Sequence, residues 1–158
     1  MNVFIIFSSV LIADQLTKYC VRDTMFLGQS MPLLGNIVKF TYVENPGIAF
    51  GIRVTHGWLF TILSAVASVG IICYLVRQWK ASGWIKSSLA LILGGAIGNL
   101  IDRLRFARVA DFVDVGFGNV RWPVFNVADA AVVIGMFMLF ITLYIHEKKF
   151  SKSDTPKQ

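Results

Sequence analysis

The stretch GWLFTILSAVASVGIICYLV, Gly57 to Val76, holds twenty consecutive residues without a charge. As an α-helix it would rise about 30 Å, the thickness of a bilayer's hydrocarbon core. Three more apolar stretches lie around it: Asn2 to Cys20, Ser87 to Ile101 and Val124 to Ile145. Lipid offers no partner to a bare backbone amide, so segments that cross it must be helical. The third stretch has only fifteen uncharged residues and would cover about 23 Å, so its polar end is expected within the interface. The fourth is long enough to span but is interrupted by Asp129. Glycines 94, 95 and 98 would let neighbouring helices approach the third stretch closely.

Composition agrees with this reading. Hydrophobic residues make up 56% of the 158-residue chain and charged residues 15%, against about 25% in soluble domains. The net charge of +6 falls between or after apolar segments, not along one folded face. That pattern belongs to membrane flanks and argues against nucleic acid. Basic residues are densest in the loop from Gln78 to Lys86 and after His146. Four spans put that loop and both termini on one side, expected to be cytoplasmic, with the other connections outside. The N-terminus resembles a signal peptide, but no Lys or Arg precedes its apolar core. Asp14-Gln-Leu-Thr-Lys18 stands where small residues at a cleavage site belong, so a retained anchor is expected. Cys20 and Cys73 have no framework spacing and are expected to be unpaired, buried small hydrophobes.

The connections carry strand signals. Ile37 to Val43 has β-branched and aromatic content, Val109 to Val115 and Gly118 to Trp122 are shorter versions, and Asn45-Pro-Gly47 is a turn. Trp58, Trp79, Trp84 and Trp122 fall at segment ends, as interfacial anchors do. The expected fold is an all-α polytopic membrane protein with four transmembrane helices and a small extracytoplasmic β subdomain. Residues 1–150 form one membrane-embedded domain, with helices at about 2–20, 57–78, 86–102 and 124–146. The β-rich outer connections are expected at about 24–55 and 104–123, and 151–158 as a polar disordered tail.

Carboxylates are rare here and converge. Asp14 ends the first stretch, Asp102 the third, and Asp129 lies one turn into the fourth. With alternating spans all three approach one membrane face, and an intramembrane acid is a site hypothesis by default. At helical spacing Asp14 aligns with Lys18, Gly95 with Asn99 and Asp102, and Asn126 with Asp129, while Arg103 is adjacent. Asp111 and Asp114 lie in the nearby connection. Such a set suits a hydrolytic Asp pair sharing a proton, a hard-cation site, or a proton or cation pathway. Polar glue between helices is the plain alternative, and an interfacial ion pair is the plain reading of Asp14 with Lys18. The second stretch offers only Thr61, Ser64 and Ser68 as polar steps, which disfavours a pathway. His56 and His146 fall on opposite sides, which disfavours a His-based triad or zinc site. No Gly-rich phosphate loop is present. On the residues alone, Asp102, Asp111 and Asp114 are equivalent partners for Asp129.

Five blocks resemble the lipoprotein signal peptidase family, also called signal peptidase II. They are Asp14-Gln-Leu-Thr-Lys18, Asn45-Pro-Gly-Ile-Ala-Phe50, Gly94-Gly-Ala-Ile-Gly-Asn-Leu-Ile-Asp-Arg103, Val109-Ala-Asp-Phe112 and Phe125-Asn-Val-Ala-Asp129. They occur in order, and the resemblance runs to about His146. It implies a membrane aspartic peptidase that cuts diacylglyceryl-modified prolipoproteins before the lipid-bearing Cys. It makes Asp111 and Asp129 the catalytic pair, with no metal or cofactor. Asp14, Lys18, Asn45, Gly47, Gly95, Asn99, Asp102, Arg103 and Asn126 would support the site or touch substrate, Asp102 and Arg103 by organising it. It further implies a bacterial inner-membrane location, membrane lipids as surroundings and globomycin-like peptides as inhibitors. A monomer is expected. Pro46 and Ala110 depart from the family pattern at positions without a chemical role. The competing expectation is a non-enzymatic membrane module or a cation site built from the same Asp and Asn cluster.

Overall fold

The computed structural model describes residues 2–47, 58–77 and 80–153, with the side chains of 146, 147 and 149–153 left aside. Helix α1 (Val3–Thr24) leads into strands β1 (Ser30–Leu34) and β2 (Val38–Asn45). Helices α2 (Trp58–Arg77) and α3 (Gly83–Phe106) follow, then β3 (Val109–Phe117), β4 (Val120–Arg121) and α4 (Val127–Ser153). All four helices are long and apolar enough to cross a membrane. Their outward faces carry Ile62, Leu63, Val66, Phe137 and Phe140, each about half or more exposed, as lipid-facing residues should be.

Helix α3 is the hub and packs against α1, α2 and α4. Half of its apolar window is buried inside the protein, against 6% for α2, so α2 lies at the margin. Small residues make this possible: Ser87, Ser88, Ala90, Gly94, Gly95 and Gly98 are all buried. Gly98 matters most. A Cβ there would stand 2.5 Å from an Asp14 carboxylate oxygen, so its absence lets that acid of α1 lie against α3.

The sheet is antiparallel in the order β1-β2-β3-β4. Strand β1 falls within the β-rich connection expected at about 24–55, although only Ile37 to Val43 was singled out there as a strand; it carries Pro32, which an edge strand tolerates. Val21 and Met25 at the end of α1 pack with Tyr42, Ala110 and Phe112 of the sheet, and Phe40 meets Phe112 edge-on at 6.1 Å. This small core fixes β3 over the end of the bundle.

Several expectations are corrected. Helix α3 runs from Gly83 to Phe106, longer at both ends than the expected 86–102, and so also takes in Arg103 and Arg105. Uncharged length underestimates it because Asp102, fully buried, meets its partners inside the protein, not in the interface. Helix α1 likewise continues to Thr24, and α4 starts at Val127, since Phe125 still bridges to Val113 of the sheet. Helix α4 also runs on to Ser153, into the stretch expected as tail. Cys20 and Cys73 are free, as expected, but exposed and not buried, because each faces away from the hub. Trp58, Trp84 and Trp122 are exposed at element ends, while Trp79 and His56 lie outside the described residues.

Candidate active site

Asn126 is the cap of α4. Its side-chain Oδ1 accepts from the Asp129 amide at 2.9 Å, and the Asp129 carboxylate accepts from the Asn126 amide at 3.2 Å. This is a capping box with Asp in place of Glu, and it explains why Phe125-Asn-Val-Ala-Asp129 starts a helix. The other Asp129 oxygen accepts from Asn99 Nδ2 at 2.7 Å. Asn126 also uses Nδ2 to donate to Asp111 Oδ1 at 2.6 Å. One residue thus contacts both carboxylates, Asp111 through its side chain and Asp129 through its backbone amide.

Asp111 arrives from β3. Pairing of β2 with β3 sets Val43 opposite Asp111 and Asn45 opposite Val109, which brings the Asn45 amide to Asp111 Oδ2 at 3.1 Å. The Asn45 carbonyl oxygen in turn accepts from the Gly47 amide at 2.9 Å, an Asx turn that aims the nitrogen at the acid. Gly47 is required twice over: its φ is +107°, and a Cβ would meet the Phe60 ring at 2.5 Å.

Among the described residues neither the buried Asp111 nor the half-buried Asp129 forms a salt bridge, whereas the buried acids Asp14, Asp102 and Asp114 do. Asp14 pairs with Lys18 at 2.9 Å, Asp102 with Arg22 at 2.8 Å and with Lys18 at 3.6 Å, and Asp114 with Arg121 at 2.6 Å. Burial, and next the charge of Asp129, pushes the Asp111 carboxyl up to about 7, against the hydrogen bonds of Asn45 and Asn126. Arg103 donates to Ser64 of α2 at 3.2 Å, and its charge is felt at Asp129, Asp111 and Asp102 without direct pairing. Beside Asp129 opens a cleft of about 340 Å³ lined by Trp122, Phe125, Ala130, Val133 and Ile134. Two carboxyl groups held by neutral amides at the edge of an apolar cleft can share a proton and polarise a water.

The structure thus brings Asp14, Lys18, Asn45, Asn99, Asp102, Arg103, Asp111, Asn126 and Asp129 into one network. Gly95 belongs to it as packing, because a Cβ there would strike the Ala128 carbonyl in the first turn of α4. Asp14 accepts from the Ala128 amide at 3.0 Å, a carboxylate at a helix N-terminus. Asp14 and Lys18 are fully buried, so the pair is internal, not interfacial. Asp114 turns away to Thr41 and Arg121 and serves the sheet. The sequence reading missed Arg22, although Asp14, Lys18 and Arg22 recur at four-residue spacing on α1. It also missed Gln15, which donates to Asp14 and to the Gly98 carbonyl, both at 3.1 Å.

Four apolar helices around a small-residue hub, with a short sheet closing one end over buried acids, define a polytopic membrane enzyme. A family model described as signal peptidase (SPase) II matches residues 6–145. A lipoprotein signal peptidase of Halalkalibacterium halodurans is 39% identical over 149 residues, covering 94% of this chain and 96% of that protein. One of Bacillus subtilis is 38% identical over 143 residues, covering 90% and 93%. A solved bacterial membrane enzyme, determined by the in meso method at 2.3 Å resolution, superimposes with a TM-score of 0.85 at 28% identity. That match covers 99% of this chain and 93% of the other. The chain belongs to the signal peptidase II family and is a multi-pass membrane protease of bacterial type.

Proposed function

We propose that this protein is an aspartic endopeptidase that removes the signal peptide from diacylglyceryl-modified prolipoproteins, cutting before the lipid-bearing Cys. The observation that carries the reading is that Asn126 donates to both carboxylates, from its side chain to Asp111 and from its backbone amide to Asp129, in acids that lack a cationic partner among the described residues. A water between the two carboxyls attacks the scissile carbonyl, one acid taking its proton and the other protonating the departing amine. Asp111 suits the acid, since burial keeps its proton near neutrality. Asp129 suits the base, with both oxygens already accepting hydrogen bonds at the start of α4. No covalent intermediate forms.

The apolar cleft beside Asp129 fits a substrate that stays in lipid. Both termini are assigned to the cytoplasm and the acid pair to the outer interface, from the dense basic residues around the junction of α2 with α3 and towards the C-terminus. Purified protein incubated with lipidated and unlipidated prolipoprotein tests the reading. Cleavage of the lipidated form only, abolished in Asp111→Asn and Asp129→Asn, is the expected result. Turnover by either variant rejects the pair.

A further inference from the structure

Lys18 is an ammonium with no solvent exposure at all. A buried charge survives only when its partners compensate it, and Asp14 at 2.9 Å and Asp102 at 3.6 Å do so. Its shortest bond, however, goes to a neutral group: Nζ donates to Asn99 Oδ1 at 2.7 Å. An ammonium has three donors and no acceptor, so the Asn99 atom facing it must be the oxygen. The nitrogen then takes the opposite end of the amide and donates to Asp129 Oδ1 at 2.7 Å. Half a turn of that amide would set NH₂ against ammonium and carbonyl against carboxylate, which is repulsive at both ends. A neutral residue at position 18 would remove half of that constraint. Asn126 adds to it, donating to the same Asn99 oxygen at 3.2 Å.

Resting on the aspartic peptidase reading above, we infer that Lys18 is a positioning residue for Asp129, acting through the amide of Asn99. It touches neither acid of the pair. Among the described residues, the charged groups around Asp129 are Asp111 on β3, Arg103 and Asp102 on α3, and Asp14 and Lys18 on α1. Of these, Lys18 works through a group whose rotation would invert its effect. A Lys18 acting only as a distant charge would lower the Asp111 carboxyl through space, independently of the Asn99 amide.

The test is the pH dependence of prolipoprotein cleavage by Lys18→Met, with melting temperature followed in parallel. Losing a donor to a carboxylate disfavours its ionised form, so the acid limb of the rate profile should move up by about one pH unit. The kcat should fall about tenfold with KM within about twofold, since chemistry and not binding is disturbed. Asn99→Leu should reproduce both changes, and the double variant should be no worse than Asn99→Leu alone. Arg22→Met takes a different cation from Asp102 and should leave the limb where it is. Losses that multiply in the double variant, or an equal shift in Arg22→Met, overturn the inference. Should Lys18→Met not fold, Asp14→Asn with Lys18→Met removes both charges and strands neither; the same shift is expected, and an unmoved profile is fatal. An inactive Asp129→Asn beside an unmoved Lys18→Met profile rejects only the role of Lys18. An active Asp129→Asn rejects the peptidase mechanism itself.

Discussion

Asn126 and Asp129 cap one another, the Asp129 amide donating at 2.9 Å and the Asn126 amide at 3.2 Å. The interaction that starts α4 is therefore also the one that sets a proposed catalytic acid. Asn126→Ala should cost about 1 kcal/mol as a lost cap. It should cost activity far more, at least about a hundredfold, because Asp111 loses its 2.6 Å donor in the same step. Denaturation midpoints and kcat on one preparation separate the two effects. A loss of activity no larger than the loss of folded protein would contradict the shared role.

The raised Asp111 carboxyl sets two pH trends. Cleavage that needs its proton should decline as pH rises through about 7. Stability follows the same direction. A carboxyl that titrates at 3.8 when unfolded and about 7 when folded holds its extra proton only in the native state, so stability is lost between those values as pH rises. Asp111→Asn should remove that slope, leaving a melting temperature above that of the parent at pH 8 and near it at pH 4. A variant that melts lower at both values would show that Asp111 is ionised and compensated in the native protein.

Gly98→Ala should disturb the site from a distance. The new Cβ would stand 2.5 Å from Asp14 Oδ2 and 3.1 Å from its Cγ, and that carboxylate is already held by Lys18, Gln15 and the Ala128 amide. A crowded group with no room to yield costs about 1–3 kcal/mol. Gly70→Ala in α2 is the control, since nothing lies within 4 Å and helix propensity improves. Thermal unfolding in detergent should rank Gly70→Ala above the parent and Gly98→Ala below it.

Asp114 is the acid that sequence reading left as a rival, and it should behave differently. Burial works to raise its carboxyl, but hydrogen bonds from Arg121 and Thr41 outweigh this and hold it below the ordinary value. Its contribution to stability is thus present above about pH 4 and lost as pH falls through the lowered value. Asp114→Asn should lower the melting temperature at neutral pH while leaving kcat within about threefold, where a lost catalytic acid costs a hundredfold or more. A dead but well-folded Asp114→Asn would reopen the choice of partner for Asp129.

Much of the fold was legible because the membrane simplifies the problem. Uncharged length located all four helices, and β-branched runs located three of the four strands. Boundaries failed where buried partners replaced water. Asp102 and Arg103 look like the end of a span, yet α3 continues past them to Phe106. Strand β1 was not singled out within its β-rich connection; it carries Pro32, a residue unfit for a central strand but acceptable on an edge.

The chain by itself determined that a few acids and amides would lie near one end of an apolar bundle, since charge in lipid is too costly to be scattered. Which acids would face each other was decided only by tertiary structure. Strand register turned Asn45 toward Asp111, the absent side chain of Gly98 admitted Asp14, and Arg22 and Arg121 drew off Asp102 and Asp114. Asp111 and Asp129 keep only amide partners among these contacts, and no spacing along the chain encodes that. Electrostatic pairing depends on distances of a few ångströms between residues that are, like Asn45 and Asp111, dozens of positions apart.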